Sequence, residues 1–136
     1  MKRDGENGQS LVEFVILLPV LLIIMAGVLD LGRVYYASVA LTDAASEGAT
    51  YAAIHPDDPN EAILRAQEAT TGLINIDASM VNIAAPTIAT GAPITVSVGY
   101  TFTVLTPFLN VIVPNGQFVI QGRASGRILS GSLGEP

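Results

Sequence analysis

The chain has no cysteine and no tryptophan, and it is poor in charge. Six Lys/Arg and twelve Asp/Glu make up 13% of its 136 residues. Without cysteine there is no disulfide, no thiol nucleophile and no thiolate-ligated metal. An acidic chain, at formal charge −6 with few aromatics and scattered arginines, is a poor nucleic-acid binder, and no nucleic acid is expected as a partner. Removing residues 1–8 leaves that balance at −6. There is also no glycine-rich phosphate cradle, HExxH pair or GxSxG elbow. Gly-Arg-Ala-Ser-Gly-Arg, residues 122–127, lacks the lysine and spacing of a phosphate loop. Ser10 has no histidine near it in sequence. The lone His55 has only Asp57 and Asp58, adjacent in a turn, as co-ligands. The chain is therefore expected to be no enzyme, with no catalytic residues, cofactor or metal.

Apolar residues, by contrast, make up half of the chain, and they are concentrated. LVEFVILLPVLLIIMAGVL, residues 11–29, holds one charge in 19 residues. As a helix at ~1.5 Å per residue it spans roughly 28 Å, close to a bilayer core of about 30 Å. The run is longer than the 7–15-residue core of a cleaved signal peptide. Ala26-Gly27 imitates a cleavage site, yet the helical pattern continues without proline through LGRVYYASVALTDAASEGATYAA. One helix is expected from about Ser10 to Ala53, with its first half in lipid and its second half in water. Lys2 and Arg3 before the span place the N-terminus inside and the C-terminal part outside.

Glu13 stands in the first turn of the apolar run. Two readings stay open. An interfacial carboxylate is favoured by the helix N-terminus. A carboxylate within hydrocarbon costs a few kcal/mol and is usually paired. A cut after Gly8 would create an α-amine at Gln9, a partner for Glu13 on the same or a neighbouring subunit, fixing the register between parallel helices. Pro19, inside the span, either bends the helix or is simply tolerated. Asp30 and Arg33, three apart, can pair on one face as an ordinary surface pair, and they mark where lipid ends. Tyr35 and Tyr36 follow, suited to the interface or to packing on an outer domain.

Ala37, Ala40, Leu41, Ala44, Ala45, Gly48, Ala49 and Ala52 form a small-residue stripe, either an intramolecular docking face or a subunit contact. His55-Pro56-Asp57-Asp58 ends the long helix. Asp58 as N-cap and Pro59 at the first helical position start PNEAILRAQEATTGL. From there the period changes to two. MVNIAAPTIAT, ITVSVGYTFTVL and GQFVIQGRASGRIL read as strands, with TGAP as a hairpin turn and Pro86 marking an edge. PFLNVIVPNG, residues 107–116, is an apolar excursion that either packs on the core or rests near the membrane.

GQSLVEFVILLPVLLIIMAGVLDLGRVYYASVALTDAASEGATYAA resembles the TadE-like family, the pseudopilins of tight-adherence (Flp) pilus systems. The resemblance rests on Gly8, Glu13, Pro19, Asp30-Leu31-Gly32-Arg33, Tyr35-Tyr36 and Glu47-Gly48-Ala49. Thr50 departs where the family commonly has arginine. A weaker likeness covers residues 94–109. The resemblance implies a leader at 1–8 cut between Gly8 and Gln9 by a prepilin peptidase. It implies an α+β, pilin-like fold: a long helix over 9–54, membrane-spanning at about 11–29, and a small exterior domain over 55–136. That domain has a short second helix and a roughly three-stranded antiparallel sheet. The implied role is an accessory or minor subunit in the cell membrane or in a pilus. Its implied partners are other pilins and the assembly platform with its ATPase. The alternative is an unprocessed single-pass anchor presenting a small exterior binding domain.

Overall fold

A computed structural model describes residues 4–70, 72, 74–106 and 113–129, with side chains from Gly8 onward. The elements run α1 (Asp4–Ile54), α2 (Pro59–Ala69), β1 (Val81–Ala84), β2 (Pro93–Thr103) and β3 (Gln117–Arg127). Two units divide the chain. One comprises Met1–Arg33 and Thr103–Gln117, the other Val34–Phe102 and Phe118–Pro136.

The second unit is built on the small-residue stripe. All eight stripe positions are buried, so an intramolecular docking face is what they form. The partners are the sheet and α2. Leu41, Ala44, Ala45 and Ala49 join Ala66, Ile76, Val81, Val96 and Val98 in one cluster. Ala52 and Ala53 join Ala62, Ile94 and Ile128 in another. Contact is close because side chains are small on both sides. A methyl group added at Gly48 would meet the Ala62 carbonyl at 3.2 Å and Val96 at 3.3 Å. One added at Gly122 would overlap the Leu41 carbonyl. The two glycines of the 122–127 run thus have a packing reason. Gly122 and Gly126, with Ala124 between them, lie on one face of β3, the period of a strand. Gly122 meets Leu41, and a methyl at Gly126 would lie 3.4 Å from Ala53.

The sheet has order β1-β2-β3. β1 and β2 are antiparallel, with Val81 opposite Val98 and Ile83 opposite Val96. Ile94, Val96 and Val98 are buried, as their alternation predicts. β1 is an edge strand and stops at Ala84, before Pro86. It is shorter than the sequence suggests, because proline has no N–H to continue the ladder. The turn at TGAP forms, with Ala92 N–H donating to the Ala89 carbonyl at 2.9 Å and Gly91 at φ 84°. It is not a tight β1–β2 hairpin. It docks on the end of β3, where Gly91 N–H reaches the Ile128 carbonyl at 2.7 Å.

α2 begins as expected. The Asp58 carboxylate accepts from Glu61 N–H at 3.2 Å, and Pro59 occupies the first turn. It ends earlier than the sequence suggests, at Ala69. The Thr70 hydroxyl donates to the Gln67 carbonyl at 2.9 Å, and its N–H returns to the last turn. Gly72, two residues on, has φ 80°, the left-handed conformation with which helices commonly close.

The first unit contains the apolar part of α1. The helix continues through Pro19. From Leu11 to Leu29 its large apolar side chains are 38–68% exposed. The helix is long and apolar enough to cross a membrane.

Candidate functional site: where the apolar helix ends

Asp30 is the first acid after sixteen uncharged positions, 14–29. Such a residue would ordinarily turn to water. It is instead only 6% exposed. A buried carboxylate is costly unless its oxygens are hydrogen-bonded, and here they are. Arg33 Nη1 donates to Oδ1 at 2.9 Å. The Leu105 N–H lies 3.0 Å from Oδ2 and 3.3 Å from Oδ1. The Thr106 N–H and hydroxyl donate to Oδ2 at 2.8 and 2.7 Å.

The chain that supplies these donors has just left β2. The Val104 N–H donates to the Gly116 carbonyl at 2.9 Å, and Gln117 Nε2 to Thr103 Oγ1 at 3.4 Å, closing the neck of the β2–β3 connection. At the far side of that neck Asn115 and Gly116 both have positive φ, 59° and 64°. Asparagine and glycine are the residues that adopt this conformation at least cost. Beyond the neck, Leu105 and Thr106 present two successive N–H groups and a hydroxyl to one carboxylate.

Burial pushes the Asp30 carboxyl upward. The Thr106 hydroxyl and N–H, the Leu105 N–H and the Arg33 guanidinium outweigh it and hold the group below its ordinary value. A carboxylate so stabilised is a poor proton acceptor. The arrangement fastens two parts of the chain together and does not suit acid–base chemistry. The sequence predicted the Asp30–Arg33 contact but treated it as a surface pair. It is instead one edge of a buried clamp reaching 76 residues along the chain. The only hint was a threonine in the otherwise apolar VLTPFL.

The other expected positions are placed as follows. Gly8 is helical, exposed and has open space around it. Gln9 Nε2 donates to Glu13 Oε1 at 3.4 Å, a weak exposed contact one turn apart. The Gln9 α-amine that a cut creates exists only in a trimmed chain. Arg33 is half exposed, and Tyr35 and Tyr36 both present their rings to the surroundings. His55 is exposed, its ring 4.9 Å from that of Tyr51. Of the 107–116 excursion, residues 107–112 lie outside the described residues.

Residues 8–50 match the family model described as TadE-like protein. That stretch contains Gly8, Glu13, Pro19, Asp30, Arg33 and both tyrosines, and ends at Thr50. None of the curated proteins or solved structures compared with the chain matches it.

Proposed function

We propose that this chain is a membrane-anchored, pilin-like accessory subunit of a tight-adherence type pilus assembly system. A prepilin peptidase cuts it between Gly8 and Gln9, and it assembles through its N-terminal helix with other pilins and a membrane platform driven by an ATPase. The observation that carries this reading is the match of residues 8–50 to the TadE-like model, on a helix whose apolar residues 11–29 are exposed along their length. Apolar surface of that extent does not stay in water. A bilayer covers it in the resting protein, and neighbouring helices cover it in an assembly.

On this reading the N-terminus is cytoplasmic and the domain that follows the span is exterior. Glu13 at membrane depth costs about 2.5–3.5 kcal/mol on insertion scales unless it is paired. The amine released at Gln9 lies one helical turn away and supplies the pair, on its own chain or on a neighbour. A pairing between chains sets the axial register of one helix on the next.

Intact mass of the protein extracted from native membranes tests the proposal. Loss of residues 1–8 is expected, and replacing Gly8 with a bulky residue should abolish it. Glu13→Ala should be cut normally yet fail to assemble. A mature protein that still begins at Met1 would overturn the processed reading in favour of an untrimmed anchor.

A further inference from the structure

We propose that the domain built on the second half of α1 docks head to tail on a second copy of this chain. The outward side of α1 in one copy seats on the open face of the sheet in the next. The proposal rests on the assembling-subunit reading above and names one contact through which copies meet.

Three observations carry it. The first is how charge divides between layers. Residues 34–77, which hold the second half of α1 and all of α2, carry seven acids and one arginine. Residues 78–127, which hold the sheet, carry Arg123 and Arg127 and no other charge. The second is direction. Gly122 and Gly126 meet α1, so strand alternation turns Arg123, Ser125 and Arg127 to the opposite face. Both arginines are exposed there, and a 2.9 Å hydroxyl bond joins Ser125, between them, to Thr95 of β2. Asp43 and Glu47 are exposed on α1, and helical spacing places them across the helix from the buried stripe. Within one copy the acids and the arginines point away from each other. The third is pairing. Arg33 and Arg65 each hold a carboxylate. Among the described residues, Asp43, Glu47, Arg123 and Arg127 take part in no ion pair, and Arg127 donates to the Gly91 carbonyl at 2.9 Å.

The two surfaces also suit each other in shape. Gly99 leaves a trough in the open face of the sheet, lined by the uncharged Asn82, Ser97, Thr101, Val119 and Gln121. Beside its acids α1 offers short side chains. The Thr42 and Thr50 hydroxyls are already bonded to their own helix at 2.8 Å, so the helix approaches without stranding a donor. The acids are one helical turn apart, about 6 Å. The arginines, four strand residues apart, stand about 13 Å from each other. Their long stems let both guanidiniums close on the acids from either end. Helix against helix, or sheet against sheet, would set like charges opposite each other, which is unfavourable. Head to tail pairs them, and a heterologous contact of this kind repeats from copy to copy.

The chain has no cysteine, so single cysteines can be placed on the full-length protein. Two differently tagged copies are co-expressed, one carrying Thr50→Cys on α1 and the other Gln121→Cys on the sheet. Membranes are oxidised with copper phenanthroline. A disulfide between the two tags is expected, with several-fold less from two Thr50→Cys copies or two Gln121→Cys copies. Arg123→Glu in the Gln121→Cys copy should lower the mixed yield several-fold, and Glu47→Arg in the other copy should restore it. Equal yields from mixed and like pairs overturn the head-to-tail contact. A mixed yield that Arg123→Glu leaves unchanged overturns the charge pairing. An adduct of the Gln121→Cys copy with a different protein, in place of a second copy, assigns the face to another subunit and overturns the contact between copies. Ile16→Cys reports helix neighbours separately. Cross-linking at 16 without cross-linking between 50 and 121 overturns the domain contact and leaves the assembling subunit standing. Intact mass from the same membranes, read for loss of residues 1–8, tests that reading on its own.

Discussion

Replacing Gly122 with alanine adds one methyl group at the closest approach between β3 and α1. The added carbon would overlap the Leu41 carbonyl and lie 2.6 Å from the Thr42 nitrogen. These are helix backbone atoms, so no side chain can rotate away. The strand must withdraw instead, by about 1.5 Å, to restore an ordinary contact near 3.5–4.0 Å. A radial gap of about 0.5–1 Å already forfeits a quarter to a half of each neighbouring dispersion contact, and this one forfeits more. Ala124 and Gly126, on the same face, would lose theirs together. Overpacking of this kind costs about 1–3 kcal/mol. The Gly→Ala gain through the unfolded chain returns about 0.4–1 kcal/mol. Because backbone blocks the methyl, a net loss of about 2 kcal/mol is expected, which is roughly a 30-fold fall in the folded-to-unfolded ratio. With a urea slope of about 1–3 kcal/mol per molar, the midpoint should drop by about 1 M. Pulse proteolysis of the full chain in mild detergent reads that midpoint. Gly126→Ala, whose methyl meets Ala49 and Ala53 at 3.4 Å, is the control and should stay near wild type. Equal midpoints for the Gly122 and Gly126 variants would refute the close strand–helix approach.

The clamp gives two further predictions. Thr106→Val keeps the shape but removes the 2.7 Å hydroxyl bond to Asp30, a charge-assisted bond worth about 1.5–3 kcal/mol. Hydrogen exchange of the Leu105 and Thr106 amides should accelerate in proportion, while exchange in α2 stays unchanged. The same amides report pH. The Asp30 carboxyl, just beyond the 11–29 span, is held below its ordinary value of 3.8, so its contribution to stability is fully present above that pH. Protection at Leu105 and Thr106 should therefore hold from neutrality down to about pH 4 and fade only as pH falls further toward the folded-state value. Loss of protection between pH 7 and 5 would show that another group controls the clamp.

What could be read from the sequence was whatever obeyed a local period or a local chemical rule. The stripe from Ala37 to Ala52 follows helical spacing, and every member is buried. Asp58-Pro59 announces a helix start and supplies one. Ile94, Val96 and Val98 alternate and are buried. Boundaries were less legible because backbone conformation just past an element decides them, such as the left-handed Gly72 beyond the end of α2. The clamp was hidden for a different reason. Asp30 to Arg33 is a separation that helix geometry converts into contact, but Asp30 to Thr106 is not. Nothing periodic links a carboxylate to two amides 75 and 76 residues away. For the glycines at 122 and 126 the sequence excluded a phosphate loop but gave no other role. Their spacing of four is two strand repeats on one face, and what they accommodate is a helix.

Among the described residues, nine of the seventeen buried apolar side chains are alanine. Each removes little area from water, so the hydrophobic gain per position is small. Such a core derives its cohesion from how closely backbones approach, since dispersion falls off within an ångström of optimal contact. That makes the small residues interdependent. Gly48 admits α2, Gly122 admits β3, and enlarging either one withdraws an element from several alanines at once. The same economy fits a helix that is to serve twice. One side of its second half is narrow and fully occupied by its own domain. Large residues are left to positions 11–29, where Leu, Ile, Val and Phe side chains are exposed, the surface that the proposed function assigns to lipid or to neighbouring helices. A Gly122 variant should therefore damage the folded domain without changing how the span inserts. A Glu13 variant should do the reverse, leaving the urea midpoint untouched while assembly fails. Finding both defects in either single variant would show that the two ends of the helix are not energetically separate.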